Sequence, residues 1–330
     1  MKKERETFPF TAIQGQDEMK LGLLLNVVEP EIKGLLVFGD RGTGKSTTIR
    51  ALIDLMPSID AIKGDPFNTA PKADTKTDSI VSVKTPMVDL PLGATEDRLC
   101  GSINMQKAMS DGVKYFEPGL LANANRGILY VDEVNLLDDH LIDILLDSAA
   151  SGINVVEREG VSVRHEAKFI LVGSGNPEEG EVRPQLLDRF GLYSEIKSIK
   201  NPTIRVKMVE ARIKFDQNPK EWLQQYEQNQ NEVKNQITTA QNLLSSVTIN
   251  EDLRLKISTL CSELKIDGLR GDLVINRCSK AYAALQGKSE VDVDHIQKII
   301  NLCLSHRLRK DPLDLLGPSA QIEEKFAEIF

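Results

Sequence analysis

The run Gly39-Asp40-Arg41-Gly42-Thr43-Gly44-Lys45-Ser46 restricts this chain more than anything else in it, because few folds can use such a turn. It fits the pattern G-x-x-x-x-G-K-[ST]. It lies between the apolar run Leu35–Phe38 and the helix-forming stretch Thr47–Met56. A strand that feeds a glycine-rich turn and then a helix wraps backbone N–H groups around phosphate, and the helix dipole adds to the field. In that setting Lys45 reaches β- and γ-phosphates, and the Ser46 hydroxyl ligates Mg²⁺. The same setting calls for an α/β layer with a parallel sheet.

The rest of the chain agrees up to about residue 200, where short apolar runs alternate with amphipathic stretches. Five strands are predicted, at Leu35–Phe38, Ile80–Val83, Ile128–Val131, Phe169–Val172 and Ser194–Ile199, with helices at about Ser46–Met56 and Asp138–Ala150. Residues Gly64–Asp78 read as a loop. Residues Pro86–Pro118 read as an insertion around a short helical segment, Ile103–Met109, and Gly152–Phe169 as a β-hairpin turning at Glu159-Gly160. Beyond residue 200 the pattern is helical. Pro202 and Pro219 each open a helix, and others follow at about Glu251–Lys265, Gly271–Gln286 and Val293–Lys310. The helix opened by Pro219 carries one apolar stripe, Trp222, Tyr226, Val233, Ile237, Ala240 and Leu244, interrupted by Asn229 and Gln230. That pattern predicts packing along one side and not a free coiled coil. Two domains are therefore expected: 1–200, α/β and nucleotide-binding, with an insert at about 86–118 and a hairpin at about 153–165; and 201–330, a helical linker and lid.

Composition excludes several classes. At 330 residues, 41% hydrophobic and 27% charged, the chain can bury a core. A formal charge of −8 opposes a bulk electrostatic grip on nucleic acid or an anionic membrane. Cys100, Cys261, Cys278 and Cys303 are far apart, which suits a reducing compartment and neither a disulfide framework nor a zinc site. The opening MKKERETFPF has no apolar h-region, and two acidic residues make it a poor transit peptide. No apolar run is long enough to span a bilayer. The four histidines show no ligand spacing, and aromatics at 5% leave no box for a large planar ligand.

A second group of residues bears on hydrolysis. Ile128-Leu129-Tyr130-Val131-Asp132-Glu133 is an apolar strand ending in two carboxylates. Asp132 is placed to hold the hydration shell of Mg²⁺ and Glu133 to polarise the attacking water. Asn176, after Phe169–Val172, either orients that water from the other side or belongs to an Asn-Pro turn. Arg189, in Leu186-Leu187-Asp188-Arg189-Phe190, is either a finger reaching the γ-phosphate of an adjacent subunit or a surface arginine paired with Asp188. Arg270, at a helix start in the second domain, is a candidate to touch bound phosphate, with Arg277 on the same helix as its competitor.

Phosphate loop, Asp-Glu strand, Asn strand tip, Leu-Asp-Arg-Phe and helical lid together resemble the AAA+ ATPase plan. Longer strings narrow this to one branch. Leu90–Arg98 (LPLGATEDR), Phe116–Leu121 (FEPGLL), Ala124–Asp139 (ANRGILYVDEVNLLDD), Gly152–Gly160 (GINVVEREG) and Glu178–Gly191 (EEGEVRPQLLDRFG) resemble the I-subunit family of magnesium chelatase. The resemblance covers residues 8–312. It implies a ring of identical subunits, usually a hexamer, with ATP and Mg²⁺ at subunit boundaries. It also implies a D-subunit ring as partner and an H subunit that carries protoporphyrin IX for Mg²⁺ insertion. On this chain it makes Gly39, Asp40, Arg41, Gly42, Thr43, Gly44, Lys45 and Ser46 the phosphate loop, adds Thr47, Asp132 and Arg270 to the nucleotide contacts, and makes Ser46 and Asp132 the Mg²⁺ positions. Glu133 becomes the base, Asn176 the sensor, Arg189 the inter-subunit finger and Arg270 the lid arginine. The insert and hairpin correspond to the branch's extra hairpins. Without a transit peptide, the expected location is a cyanobacterial cytoplasm or, for a plastid-encoded form, the chloroplast stroma. Mg²⁺ sheds water reluctantly and prefers hard oxygen ligands, so placing it among porphyrin nitrogens needs external work. The alternatives are a MoxR-type ATPase that remodels another protein, a nucleic-acid translocase, and a nucleotide switch that does not hydrolyse. The charge opposes the translocase, and intact Lys45, Asp132 and Glu133 oppose the switch.

Overall fold

Runs without charged residues and buried on both faces need cover on each side, and three strands among the described residues are of this kind. Leu35–Gly39 (β1) is buried at all but Phe38; Ile128–Val131 (β7) and Ile170–Gly175 (β10) are buried throughout. The computed structural model describes residues 6–104, 115–158, 161–308 and 317–330. The other strands are β2 (Ile59–Ile62), β3 (Ile80–Val83), β4 (Met87–Leu90), β5 (Gly101–Asn104), β6 (Tyr115–Pro118), β8 (Ile153–Arg158), β9 (Val161–Glu166) and β11 (Leu192–Ile196). The helices are α1 (Asp17–Val28), α2 (Lys45–Ala51), α3 (Glu96–Cys100), α4 (Leu120–Asn123), α5 (Asp139–Ser151) and α6 (Pro184–Leu187). After β11 come α7 (Pro202–Gln217), α8 (Pro219–Leu243), α9 (Glu251–Glu263), α10 (Arg270–Leu285), α11 (Val293–Leu304) and α12 (Pro318–Ile329). One sheet runs in the order β11-β1-β10-β7-β4. The pairs β1–β11, β7–β10 and β4–β7 in it are parallel.

Spatially the chain groups into two compact units, Met1–Leu55 with Arg183–Phe330, and Met56–Val182. The switch from α/β alternation to helices still falls near residue 200, between β11 and α7.

In the first unit β1 pairs with β11 in register Leu35↔Leu192 to Gly39↔Ile196. Pro202 and Pro219 sit in the first turns of α7 and α8. Asn201 and Asn218 accept from the backbone N–H of Thr203 and Glu221, so each helix start is capped. The stripe on α8 packs along one side. Trp222 lies against Phe8, Phe215 and Tyr226, while Ile237 and Ala240 are buried. Its polar interruption has a use, because Gln230 Oε1 accepts the Thr11 N–H at 3.0 Å. The C-terminal helices α9 to α12 bury Ile257, Leu260, Ile275, Ile299 and Ile322 among themselves. The four cysteines are buried free thiols, and burial pushes Cys100, in the second unit, up to about 11.

In the second unit two expectations are corrected. Ile80–Val83 is no member of the main sheet; it pairs antiparallel with β2 as a half-exposed ribbon. The fifth main strand is instead β4, which was assigned to the insertion. Among the described residues it pairs only with β7, at a sheet edge where the flanking Pro86 and Pro91 are tolerated. The insertion proper begins beyond it and includes the β5–β6 ribbon. The helical segment assigned to Ile103–Met109 starts inside β5, and its remainder lies outside the described residues. β8 and β9 form the expected hairpin, and its Glu159-Gly160 turn also lies outside them.

Candidate active site

The phosphate loop is built by backbone necessity. At Gly39 the chain passes so close to β11 that a Cβ would stand 2.1 Å from the Ile196 carbonyl oxygen. Gly44 starts α2 in the left-handed region at φ 83°, open to glycine at no steric cost. Lys45 folds back over the loop, and its Nζ donates to the carbonyls of Gly39 at 2.5 Å and Asp40 at 2.9 Å. The Thr43 hydroxyl donates to the Asp40 carbonyl at 2.9 Å. The Asp40 carboxylate accepts from the Ser198 hydroxyl at 2.7 Å and from its N–H, and these bonds hold it below the usual carboxylate range.

Sequence reasoning missed Gln16. Its side-chain amide donates to the Thr43 carbonyl, and its oxygen accepts the Thr48 hydroxyl at 2.6 Å. It thus ties the start of α1 to the loop and to α2. Its own backbone is left-handed at φ 58°. The Gly15-Gln16 pair just before an apolar helix was the available signal. Beside the loop, within the same unit, is a cavity of about 450 Å³ lined by Gln16, Met19, Gly42, Thr43, Met208 and Val209, among others. Its mixed lining and size suit the non-phosphate part of a nucleotide.

Three arginines near Asp188 sort themselves. Asp188 pairs with Arg307, Nη1 to Oδ1 at 2.7 Å, and with Arg270 through Oδ2. It does not pair with its neighbour Arg189, whose guanidinium makes no hydrogen bond or ion pair among the described residues. The surface-pair alternative for Arg189 therefore falls. Arg277 is occupied elsewhere, donating to the Glu31 carbonyl at 2.5 Å. Arg307, which sequence reasoning did not single out, has a side chain only 5% exposed.

In the second unit β7 delivers Asp132 and Glu133. The Ser174 hydroxyl donates to Asp132 Oδ1, and Ser174 also bonds the Tyr130 hydroxyl at 2.9 Å, so β10 fixes the carboxylate from the side. Glu133 is held left-handed at φ 54°, a conformation that costs a non-glycine residue about 1 kcal/mol and clusters at functional sites. Asn176 is 3% exposed. Its Oδ1 accepts the Glu178 N–H at 3.1 Å, which is the Asn-Pro turn. Its Nδ2 is buried with no partner among the described residues, a donor whose desolvation none of them offsets. Turn and donor coexist in one side chain. Within the first unit a lysine ammonium, backbone N–H groups at a helix start and a hydroxyl suit phosphate and its Mg²⁺; within the second a carboxylate and an amide donor suit a hydrated cation and a water. Among the described residues no His/Cys/Asp/Glu cluster could hold a metal ion by itself, and no helix is long and apolar enough to cross a membrane.

Comparisons with known proteins converge. The family model described as magnesium chelatase, subunit ChlI, matches residues 9–186, and the AAA lid domain model matches residues 254–326. A magnesium-chelatase subunit ChlI from Olisthodiscus luteus is 64% identical over 98% of this chain and 96% of its own length. One from Synechocystis sp. is 59% identical over 100% and 95%. A chain in a cryo-EM structure of the complex between subunits BchI and BchD of magnesium chelatase is 47% identical, covering 98% of this chain and 100% of that one, with a TM-score of 0.55. A putative ATPase from Cytophaga hutchinsonii, 16% identical with a TM-score of 0.66, shares the fold.

Proposed function

The chain belongs to the magnesium chelatase I-subunit family, and from that premise we propose that it is the ATP-hydrolysing subunit that drives Mg²⁺ insertion into protoporphyrin IX. The observation that carries the reading is identity of 64% over nearly the whole length of a subunit of that name. The similarity to a chain of the BchI–BchD complex supports a D-type subunit as partner. A hexameric ring and an H subunit that presents the porphyrin complete the proposal. Residues 1–200 serve as the nucleotide-binding part and 201–330 as linker and lid. The compartment is a cyanobacterial cytoplasm or a chloroplast stroma.

Each residue's role follows from its chemistry. Lys45 neutralises β- and γ-phosphate oxygens once its ammonium exchanges the Gly39 and Asp40 carbonyls for them. Backbone N–H groups from Gly39 to Thr47 cradle the remaining phosphate charge. Ser46 and Asp132 hold the nucleotide's Mg²⁺, Asp132 through water, and the cation's contribution is to spread the charge developing on the phosphates. Glu133 draws the proton of the attacking water, and its left-handed backbone, of a kind that clusters at functional sites, supports that role. Asn176 donates its unspent Nδ2–H to that water or to the γ-phosphate. Arg189, whose guanidinium has no partner among the described residues, reaches an adjacent subunit's nucleotide. Arg270 touches phosphate from the lid.

Reconstitution tests the whole reading. With D and H subunits, protoporphyrin IX and MgATP, this chain yields Mg-protoporphyrin at a rate that needs its ATP hydrolysis. No Mg-protoporphyrin from a chain that hydrolyses ATP would refute it.

A further inference from the structure

Asp188 holds two arginines of very different standing. Arg307 is 5% exposed and every one of its three nitrogens donates: Nη1 to Asp188 Oδ1 at 2.7 Å, Nη2 to the Phe190 carbonyl at 2.9 Å, and Nε to the Cys303 carbonyl at 3.2 Å. A guanidinium desolvated to that degree has nowhere better to go. Arg270 is 48% exposed, and the partners it has are the carboxylate and the carbonyl of Asp188 itself. An ion pair so open to water is weak, and a polyanionic phosphate outcompetes it. The same carboxylate precedes Arg189 in sequence. His306 and Arg307 both grip the Phe190 carbonyl on the other side of Arg189, His306 Nε2 at 3.1 Å. The three residues 188–190 are thus pinned from the end of α11, with the Arg189 guanidinium, unpaired among the described residues, between the pins.

We propose that Asp188 is the resting counter-ion of Arg270, a positioning residue that Arg307 holds still and that Arg270 leaves when a nucleoside triphosphate takes its guanidinium. This rests on the reading of the chain as a nucleotide hydrolase with Arg270 on the phosphate. Its consequence is directional. Filling a subunit's own site strips one of two cations from the carboxylate beside Arg189, so the residue that serves the neighbour's site feels the state of its own. Nucleotide affinity is correspondingly held down, since binding must first break the Arg270–Asp188 pair.

The test is a double-mutant cycle on the full chain, with Mg²⁺ and the non-hydrolysable analogue AMP-PNP as the probe and equilibrium affinity as the readout. Asp188→Asn keeps an oxygen for Arg307 while removing the charge. It is expected to bind the analogue about two- to fivefold more tightly than wild type. In an Arg270→Ala background the same substitution is expected to change nothing. An equal gain in both backgrounds, no gain in either, or a loss would overturn the proposal, because a merely structural Asp188 has no reason to tighten binding through Arg270. Wild-type chain that fails to bind AMP-PNP would overturn the nucleotide reading and this inference with it. Wild-type binding without an Arg270-dependent gain would overturn this inference alone. Should Asp188→Asn fold poorly, wild-type chain labelled with ¹⁵N-arginine decides. The Arg270 side-chain signal, assigned by its loss in Arg270→Ala, must shift on adding Mg²⁺ and AMP-PNP while that of Arg307 stays. An unmoved Arg270 signal would overturn the proposal.

Discussion

Mild acid should weaken the first unit through a single imidazole. His306 Nε2 donates to the Phe190 carbonyl, the ring stacks on Tyr193 at 5.8 Å between centroids, and Nδ1 is sealed from water with no partner among the described residues. Charging the ring would place a second N–H where nothing accepts it, beside the buried Arg307. Burial and that neighbouring guanidinium hold the imidazole down at about 3. The unfolded chain titrates near 6.5, so as the pH falls the unfolded state takes up the proton first. The neutral ring's contribution is therefore present above about pH 6.5 and is lost as the pH drops toward 3. Between about pH 7.5 and about pH 5.5 the protonated fraction of the unfolded state alone changes its free energy tenfold in population terms, a loss of about 1.4 kcal/mol. The figure barely depends on the native value, provided that value stays well below the lower pH. Other groups also titrate in this window, so the measurement is a difference. Urea unfolding is followed by the fluorescence of Trp222, the one tryptophan of the chain, which is buried in the same unit. Wild type is compared with His306→Gln, whose amide can still donate to Phe190 but cannot titrate. Wild type should lose about 1.4 kcal/mol more than the variant. Equal losses would show that His306 protonates as readily in the folded chain as in the unfolded one, and the reasoning would fail.

Four further outcomes follow from the site. Glu133→Gln should bind ATP and keep it uncleaved, and rapid phosphate release by that variant would remove Glu133 as the base. Arg189→Ala should bind nucleotide normally, fail to hydrolyse it, and poison rings mixed with wild type; full activity in such mixtures would mean the arginine does not act across a boundary. Asn176→Asp keeps the oxygen that accepts from Glu178 but replaces the unpaired donor. Hydrolysis should fall about 10²-fold with little change in melting temperature, and unchanged turnover would deny the amide a part in the chemistry. Gly39→Ala drives a methyl to 2.1 Å from the Ile196 carbonyl oxygen, so the chain should lose about 3 kcal/mol and its nucleotide affinity, as read by urea melts and AMP-PNP titration.

What could be read from the sequence was what the backbone joins without help. The eight residues of the phosphate loop are consecutive, so the turn that makes them a site is local, and Asp132 and Glu133 follow directly from the apolar strand that carries them. The errors arose where a partner decides the outcome. Ile80–Val83 is as apolar as a sheet-core strand. What makes it a ribbon is Ile59–Ile62 lying antiparallel to it, and an isolated four-residue run cannot announce that partner. Met87–Leu90, bracketed by prolines, reads as punctuation, and only its place at a sheet edge makes prolines harmless there. The arginines show the same limit at the level of side chains. Asp188 and Arg189 are neighbours in sequence, which invites pairing them, but consecutive residues leave the backbone in different directions. The carboxylate instead meets Arg270 and Arg307, which lie 82 and 119 positions away. Because Asp188 is satisfied from that distance, the Arg189 guanidinium has no partner among the described residues, which is the freedom that the proposed role across a subunit boundary requires.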